Sequence, residues 1–112
     1  MKHLILTSAI VAAFAAPVGA ETLTIGTATA QTGGLAYADV PTMQGMKLAI
    51  DEINAAGGID GATKIALLEK DVRSDPAQTS IAAQELADAG ASVIVLPGDS
   101  DPALAALGVV SS

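Results

Sequence analysis

Apolar residues recur at helical spacing from Met43 to Ala56, and the run then stops at two glycines. On a 3.6-residue wheel, Met43, Met46, Ala49, Ile50, Ile53 and Ala56 fall on one arc. Gln44, Lys47, Asp51 and Asn54 fall opposite, and Leu48 is the one apolar residue out of place. Gly45 lies at the edge of the apolar arc, where a missing side chain would let the helix approach a sheet closely. Gly57 supplies a residue that takes the left-handed conformation without a Cβ penalty, so the helix ends there. Pro41 is placed to open it, because its missing N–H costs little in a first turn.

The rest of the chain repeats this alternation. Residues 23–28 (LTIGTA) alternate apolar and small polar side chains and predict the first strand. Residues 29–40 form a loop with a turn at Gly33-Gly34. Residues 59–62 are a turn, residues 64–71 (KIALLEKD) the second strand, and residues 72–74 a loop. Asp75-Pro76-Ala77-Gln78 starts a second helix: Asp75 caps, Pro76 takes the first position and Gln78 can reach back as in a capping box. Its expected inner stripe is Ala82, Leu86 and Ala89, and Gly90 stops it. Residues 92–96 (SVIVL) read as a strand buried on both faces. Residues 97–100 are a tight loop, and Asp101-Pro102 repeats the cap-plus-proline pattern before a third helix. Gly108-Val109-Val110 could form a fourth strand, but continued helix is preferred. Ser111-Ser112 carries no stop signal, so the chain reads as cut within an element. The order strand–helix, three times over, implies right-handed crossovers and a parallel sheet.

Composition narrows the functions. Residues 1–20 read as a secretory signal peptide: Lys2 gives the positive start, thirteen residues from Leu4 to Ala16 form an apolar core, and Val18-Gly19-Ala20 supplies small residues for cleavage. Thirteen residues are too few to span a membrane. No cysteine follows the cut, so a soluble exported protein is expected rather than a lipoprotein. Without Lys2, four Lys and Arg stand against twelve acids, a formal charge of −8, and no basic patch invites nucleic acid. The absence of cysteine excludes disulfides and thiolate metal sites. His3 and Phe14 lie in the export segment, leaving Tyr37 as the sole aromatic after it and a core of Ile, Leu, Val, Met and Ala. Neither a G-x-G-x-x-G fingerprint nor a Walker A pattern occurs. Asp51, Glu52, Glu69 and Asp71 read as solvated charge rather than catalytic groups. No enzyme, cofactor or metal site is expected.

The run LAIDEINAAGGI, residues 48–59, resembles the first-helix signature of periplasmic binding proteins of the leucine/isoleucine/valine-binding type, the substrate-capturing components of ATP-driven importers. The likeness extends from Leu23 to about Leu107, with three helix–strand junctions in the family's order. It implies an α/β fold, a parallel-sheet lobe of the type I periplasmic binding proteins, of which residues 21–112 would supply the incomplete N-terminal part. It also implies a second lobe across a hinge, permease subunits as partners and a small amino-acid-like ligand. A longer third helix is usual in the family.

Ligands of open parallel sheets sit outside the carboxyl ends of the strands, which here feed residues 29–40 and 97–101. The loop at residues 72–74 lies one position away and is not expected to touch ligand. The candidate ligand-binding residues are Tyr37, Gly98, Asp99 and Ser100. Tyr37 offers an apolar face and a hydroxyl, and either covers a ligand or packs on its own lobe. By resemblance, Ser100 matches a serine that hydrogen-bonds an amino acid's carboxylate, aided by the helix N-terminus; the plain reading is a turn serine. Asp101 is expected to cap the third helix as Asp75 caps the second. Asp99 then has no structural duty, and its charge departs from the small neutral residues usual there. That departure disfavours a bare monocarboxylate and favours a ligand bearing an ammonium. The expected function is therefore periplasmic capture of a small polar solute, an amino acid or related compound, for import by an ABC transporter. The alternatives are the ligand-sensing domain of a receptor with the same fold, marked by a transmembrane helix after the second lobe, and a doubly wound enzyme.

Overall fold

In the computed structural model, which describes residues 21–111, β1 (Thr22–Thr29) is the middle strand of a three-stranded parallel sheet. The expected signal peptide lies outside the described residues. After β1 come α1 (Ala36–Ala55), β2 (Lys64–Asp71), α2 (Pro76–Asp88), β3 (Val93–Val95) and α3 (Ser100–Val110). The strand order is β2-β1-β3. β1 pairs with β2 from Thr22↔Lys64 to Thr29↔Asp71, and with β3 from Ile25↔Val93 to Thr27↔Val95. Because β2 and β3 flank β1 on opposite sides, a constant right-handed crossover requires α1 and α2 to cover opposite faces. Two ion pairs show that they do. Lys47 of α1 meets Glu69 at 2.8 Å, and Glu85 of α2 meets Lys70, the next residue along β2, at 2.7 Å. α3 lies alongside α2, and the helix predicted there continues through Gly108 to Val110.

The core lies between β1 and α2. Ala28, Ala30, Val72, Ala82 and Leu86 are buried together. Small residues on this face of β1 let α2 come close: a Cβ at Gly26 would stand 3.0 Å from Leu86 Cδ2 and 3.1 Å from Ala91 Cβ. The opposite face of β1 carries Thr27, in register with Glu69, and therefore faces α1. Thr27 and Thr29 are buried, and neither hydroxyl finds a partner among the described residues. An unpaired buried hydroxyl costs free energy that an isosteric methyl does not. Thr27→Val and Thr29→Val are each expected to stabilise the fold by about 1 kcal/mol, read as a raised urea midpoint with unchanged slope; a lowered midpoint for both contradicts this.

Both early helices end as the glycines predict. Gly57 N–H donates to Asn54 O at 3.2 Å and Gly58 N–H to Ile53 O at 2.8 Å, the paired bonds of a Schellman cap. Gly57 has φ +112°, and Gly58, at φ +97°, has Thr63 O where a Cβ would stand. In α2, Gly90 and Ala91 repeat the same two bonds to Ala87 O and Leu86 O.

Several sequence expectations are corrected. α1 starts at Ala36, not Pro41, which lies inside the helix. Leu35 O accepts from Ala38 N and Asp39 N ahead of it, whereas Pro41, which has no N–H, leaves Tyr37 O without the i+4 donor that a helix supplies. The buried line of α1 is Asp39, Met43 and Ile50, with Met46 half-buried, while Ala49, Ile53 and Ala56 are exposed. Gly45 is exposed too and approaches nothing. The rotation has a cause in Asn54, placed by periodicity on the outer side. Its side chain donates to Ile65 O and accepts from Ile65 N, both at 2.8 Å, pinning the end of α1 to β2. In α2 the inner stripe is Thr79, Ala82, Ala83 and Leu86, and Ala89 is exposed. Asp75 caps as expected, accepting from Ala77 N and Gln78 N. Gln78 does not close a capping box; its Oε1 accepts from Arg73 Nη2 at 3.1 Å. β3 is not buried on both faces: it is an edge strand of this sheet and Val93 is 46% exposed.

Candidate functional site

The chain leaves β1 toward the α1 face and leaves β3 toward the α3 side, so the two loops diverge from neighbouring strand ends. Such a divergence opens a crevice at the carboxyl edge of the sheet. A concavity of about 380 Å³ lies there, lined by Leu35, Tyr37, Ala38, Asp39, Gly98, Asp99 and Ser100. The fold thus gathers Tyr37, Gly98, Asp99 and Ser100 at one place, as the sequence reading expected. Tyr37 sits in the first turn of α1 rather than in a loop, and at 80% exposure it does not pack on its own lobe.

Asp99, not Asp101, is the N-cap of α3, its Oδ1 accepting from Asp101 N at 3.3 Å. Asp101 belongs to the first helical turn. Proline is tolerated throughout a first turn, where N–H groups lack helical partners, so Pro102 fits two residues later than its counterpart in α2. Ser100 becomes the first residue of α3, and its hydroxyl and the neighbouring backbone N–H groups stand at the positive end of the helix.

Asp39 was missed in the sequence. It is buried, 5% exposed, and lines the concavity. Its Oδ2 accepts from Ala30 N at 2.8 Å and its Oδ1 from Gly98 N at 3.1 Å. One carboxylate therefore ties the loop after β1 to the loop after β3. The signal that could have found it is a lone acid in the otherwise neutral stretch 29–40. The site thus pairs two carboxylates, of Asp39 and Asp99, with a helix N-terminus and a hydroxyl, and among the described residues no Lys or Arg lines it. Among the described residues no group of His, Cys, Asp or Glu is placed to hold a metal ion, and no helix is long and apolar enough to cross a membrane.

An open parallel sheet with helices on both faces and a polar crevice at its carboxyl edge is the architecture of a type I solute-binding lobe. The sequence profile of the periplasmic binding protein family matches residues 22–112, and the chain belongs to that family. Among solved structures it is similar to the branched-chain amino acid transporter substrate-binding protein LivJ from Streptococcus pneumoniae in complex with isoleucine. That match has 35% identity and a TM-score of 0.76, and covers 81% of this chain and 26% of that one. It is also similar to an ABC transporter protein from Rhodopseudomonas palustris, with 28% identity, TM-score 0.70 and coverage of 80% and 27%. A third similar structure is a periplasmic binding protein type 1 from Bordetella pertussis, with 29% identity, TM-score 0.69 and coverage of 80% and 24%. The chain spans about a quarter of the length of these proteins. No curated protein matches it.

Proposed function

We propose that this chain forms the N-terminal part of the substrate-binding component of an ABC importer, exported by residues 1–20 and capturing an amino acid or related compound in the periplasm. Permease subunits of the importer are its partners. The observation that carries this reading is the crevice between the ends of β1 and β3, with Ser100 at the start of α3. An amino acid presents a carboxylate and an ammonium close together. Ser100 Oγ and the α3 N-terminus suit the carboxylate. Asp39 and Asp99 suit the ammonium, and Leu35, Tyr37 and Ala38 offer the side chain a surface. Asp99 is already engaged in capping α3, so part of its charge is offset by the helix, and it tolerates an amino acid better than an idle carboxylate would. Likeness to a protein solved with isoleucine makes isoleucine the first probe.

Calorimetric titration of the full-length protein with isoleucine tests the assignment. Ser100→Ala removes a hydrogen bond to a charged group and is expected to cost about 1.5–3 kcal/mol, or roughly ten- to a hundredfold in affinity. Tyr37→Ala is expected to weaken binding as well. Asp99→Asn keeps a good cap but removes one of the two carboxylates offered to the ammonium, and is expected to weaken binding less than Ser100→Ala. Wild-type affinity in both Ser100→Ala and Tyr37→Ala overturns the site.

A further inference from the structure

The loop between β2 and α2 lines none of the concavity, yet it grips the loop that does. Asp71, the last residue of β2, accepts on Oδ1 from Gln31 N at 2.9 Å, Thr32 N at 3.2 Å and Arg73 N at 2.9 Å. Its Oδ2 accepts from Thr32 Oγ1 at 2.7 Å. Ser74 Oγ accepts from Leu35 N and donates to Thr32 O, both at 2.9 Å. These contacts hold the β1–α1 loop along residues 31–35. The grip uses strained backbone: Arg73 and Ser74 have φ +53° and +60°, and neither is glycine. Such conformations persist where the surroundings over-determine them. Gly33, at φ +85°, completes the fit, because a Cβ there would lie 2.6 Å from Ser74 Oγ. Desolvation raises the Asp71 pKa, but the bonds from Arg73 N, Thr32 Oγ1, Gln31 N and Thr32 N together outweigh it and hold the carboxyl below the ordinary aspartate value. The carboxylate is charged at neutral pH, so its bonds are of the stronger, charge-assisted kind.

We propose that Asp71 and Ser74 are positioning residues, a latch that fixes the β1–α1 loop and so places Leu35 and Tyr37 at the mouth of the concavity. Neither residue touches the concavity. The ligand arm of this proposal rests on the proposed function; the backbone arm does not. Amide hydrogen exchange and isoleucine titration on the full-length protein test both. In Asp71→Asn, exchange at Gln31 and Thr32 is expected to accelerate about tenfold or more, and in Ser74→Ala the same at Leu35. The amides of Ala83 and Leu86 in α2 stay as slow as in the wild type, and isoleucine affinity falls severalfold. Unchanged exchange at the loop amides in both variants overturns the latch. Equal acceleration at Leu86 also overturns it, because the residues would then be general stabilisers. Loosened amides with wild-type isoleucine affinity overturn the positioning role. A wild-type protein that ignores isoleucine overturns the proposed ligand instead, and the exchange rates still decide the latch. Ser74→Ala keeps the test open if Asp71→Asn does not fold.

Discussion

Leu86→Ala is expected to destabilise the protein by about 2–5 kcal/mol, toward the upper end of that range. Leu86 is 1% exposed and fills the space between α2 and the central strand. The cost of such a truncation depends on how far neighbours can collapse into the void. Here they cannot reach far, because the opposing positions on β1 are Gly26 and Ala28, which have almost no side chain to swing in. The same geometry predicts coupling. Gly26→Ala alone should destabilise, since its Cβ would press against Leu86 Cδ2 at 3.0 Å. In the Leu86→Ala background that penalty should shrink, because one of the crowding atoms is gone. Urea unfolding of the wild type, both single variants and the double variant measures the coupling. Strictly additive losses contradict the packing described.

Asp39→Ala is expected to remove about 2–4 kcal/mol and to abolish isoleucine binding together. The stability loss follows from leaving Ala30 N–H and Gly98 N–H without their carboxylate partner, at roughly 1.5–3 kcal/mol per charge-assisted bond, offset in part by no longer burying a charge. The binding loss follows because those two amides belong to the two loops that form the walls of the site. Asp39→Asn is the sharper variant. Its amide keeps one acceptor and turns an NH2 toward the other backbone donor, so about half the stability loss is expected with most of the binding loss. Thermal unfolding and calorimetric titration of both variants check this. An Asp39→Ala protein that binds isoleucine normally removes the carboxylate from the site.

What was legible in the sequence was whatever a short window contains. The stop at Gly57, the cap at Asp75 and the strand at residues 64–71 each depend on neighbours within a few positions, and all stand in the structure. The convergence of Tyr37 with Gly98, Asp99 and Ser100 was legible too, because ligand crevices follow strand order. The failures share a different cause. The rotation of α1 is fixed by Asn54 reaching the backbone of Ile65, and a hydropathy wheel scores asparagine as surface. The same wheel has no place for a buried aspartate, so Asp39, bonded to Gly98 across 59 positions, was passed over although it is the lone acid of its stretch. The exposure of β3 depends on which strand lies in the centre, and β1 holds that place despite its threonines. Asp99 and Asp101 are equally good caps on paper; only the backbone, extended at Asp99, selects between them.

The bridge made by Asp39 bears on kinetics. Two loops tied to one buried carboxylate are expected to move together, so on the proposed function an arriving solute would meet this wall close to its bound shape. Little ordering is then required on this side of the site, and the encounter step should be nearly the same for every amino acid that fits the opening. Discrimination among such solutes would fall on how long each one stays.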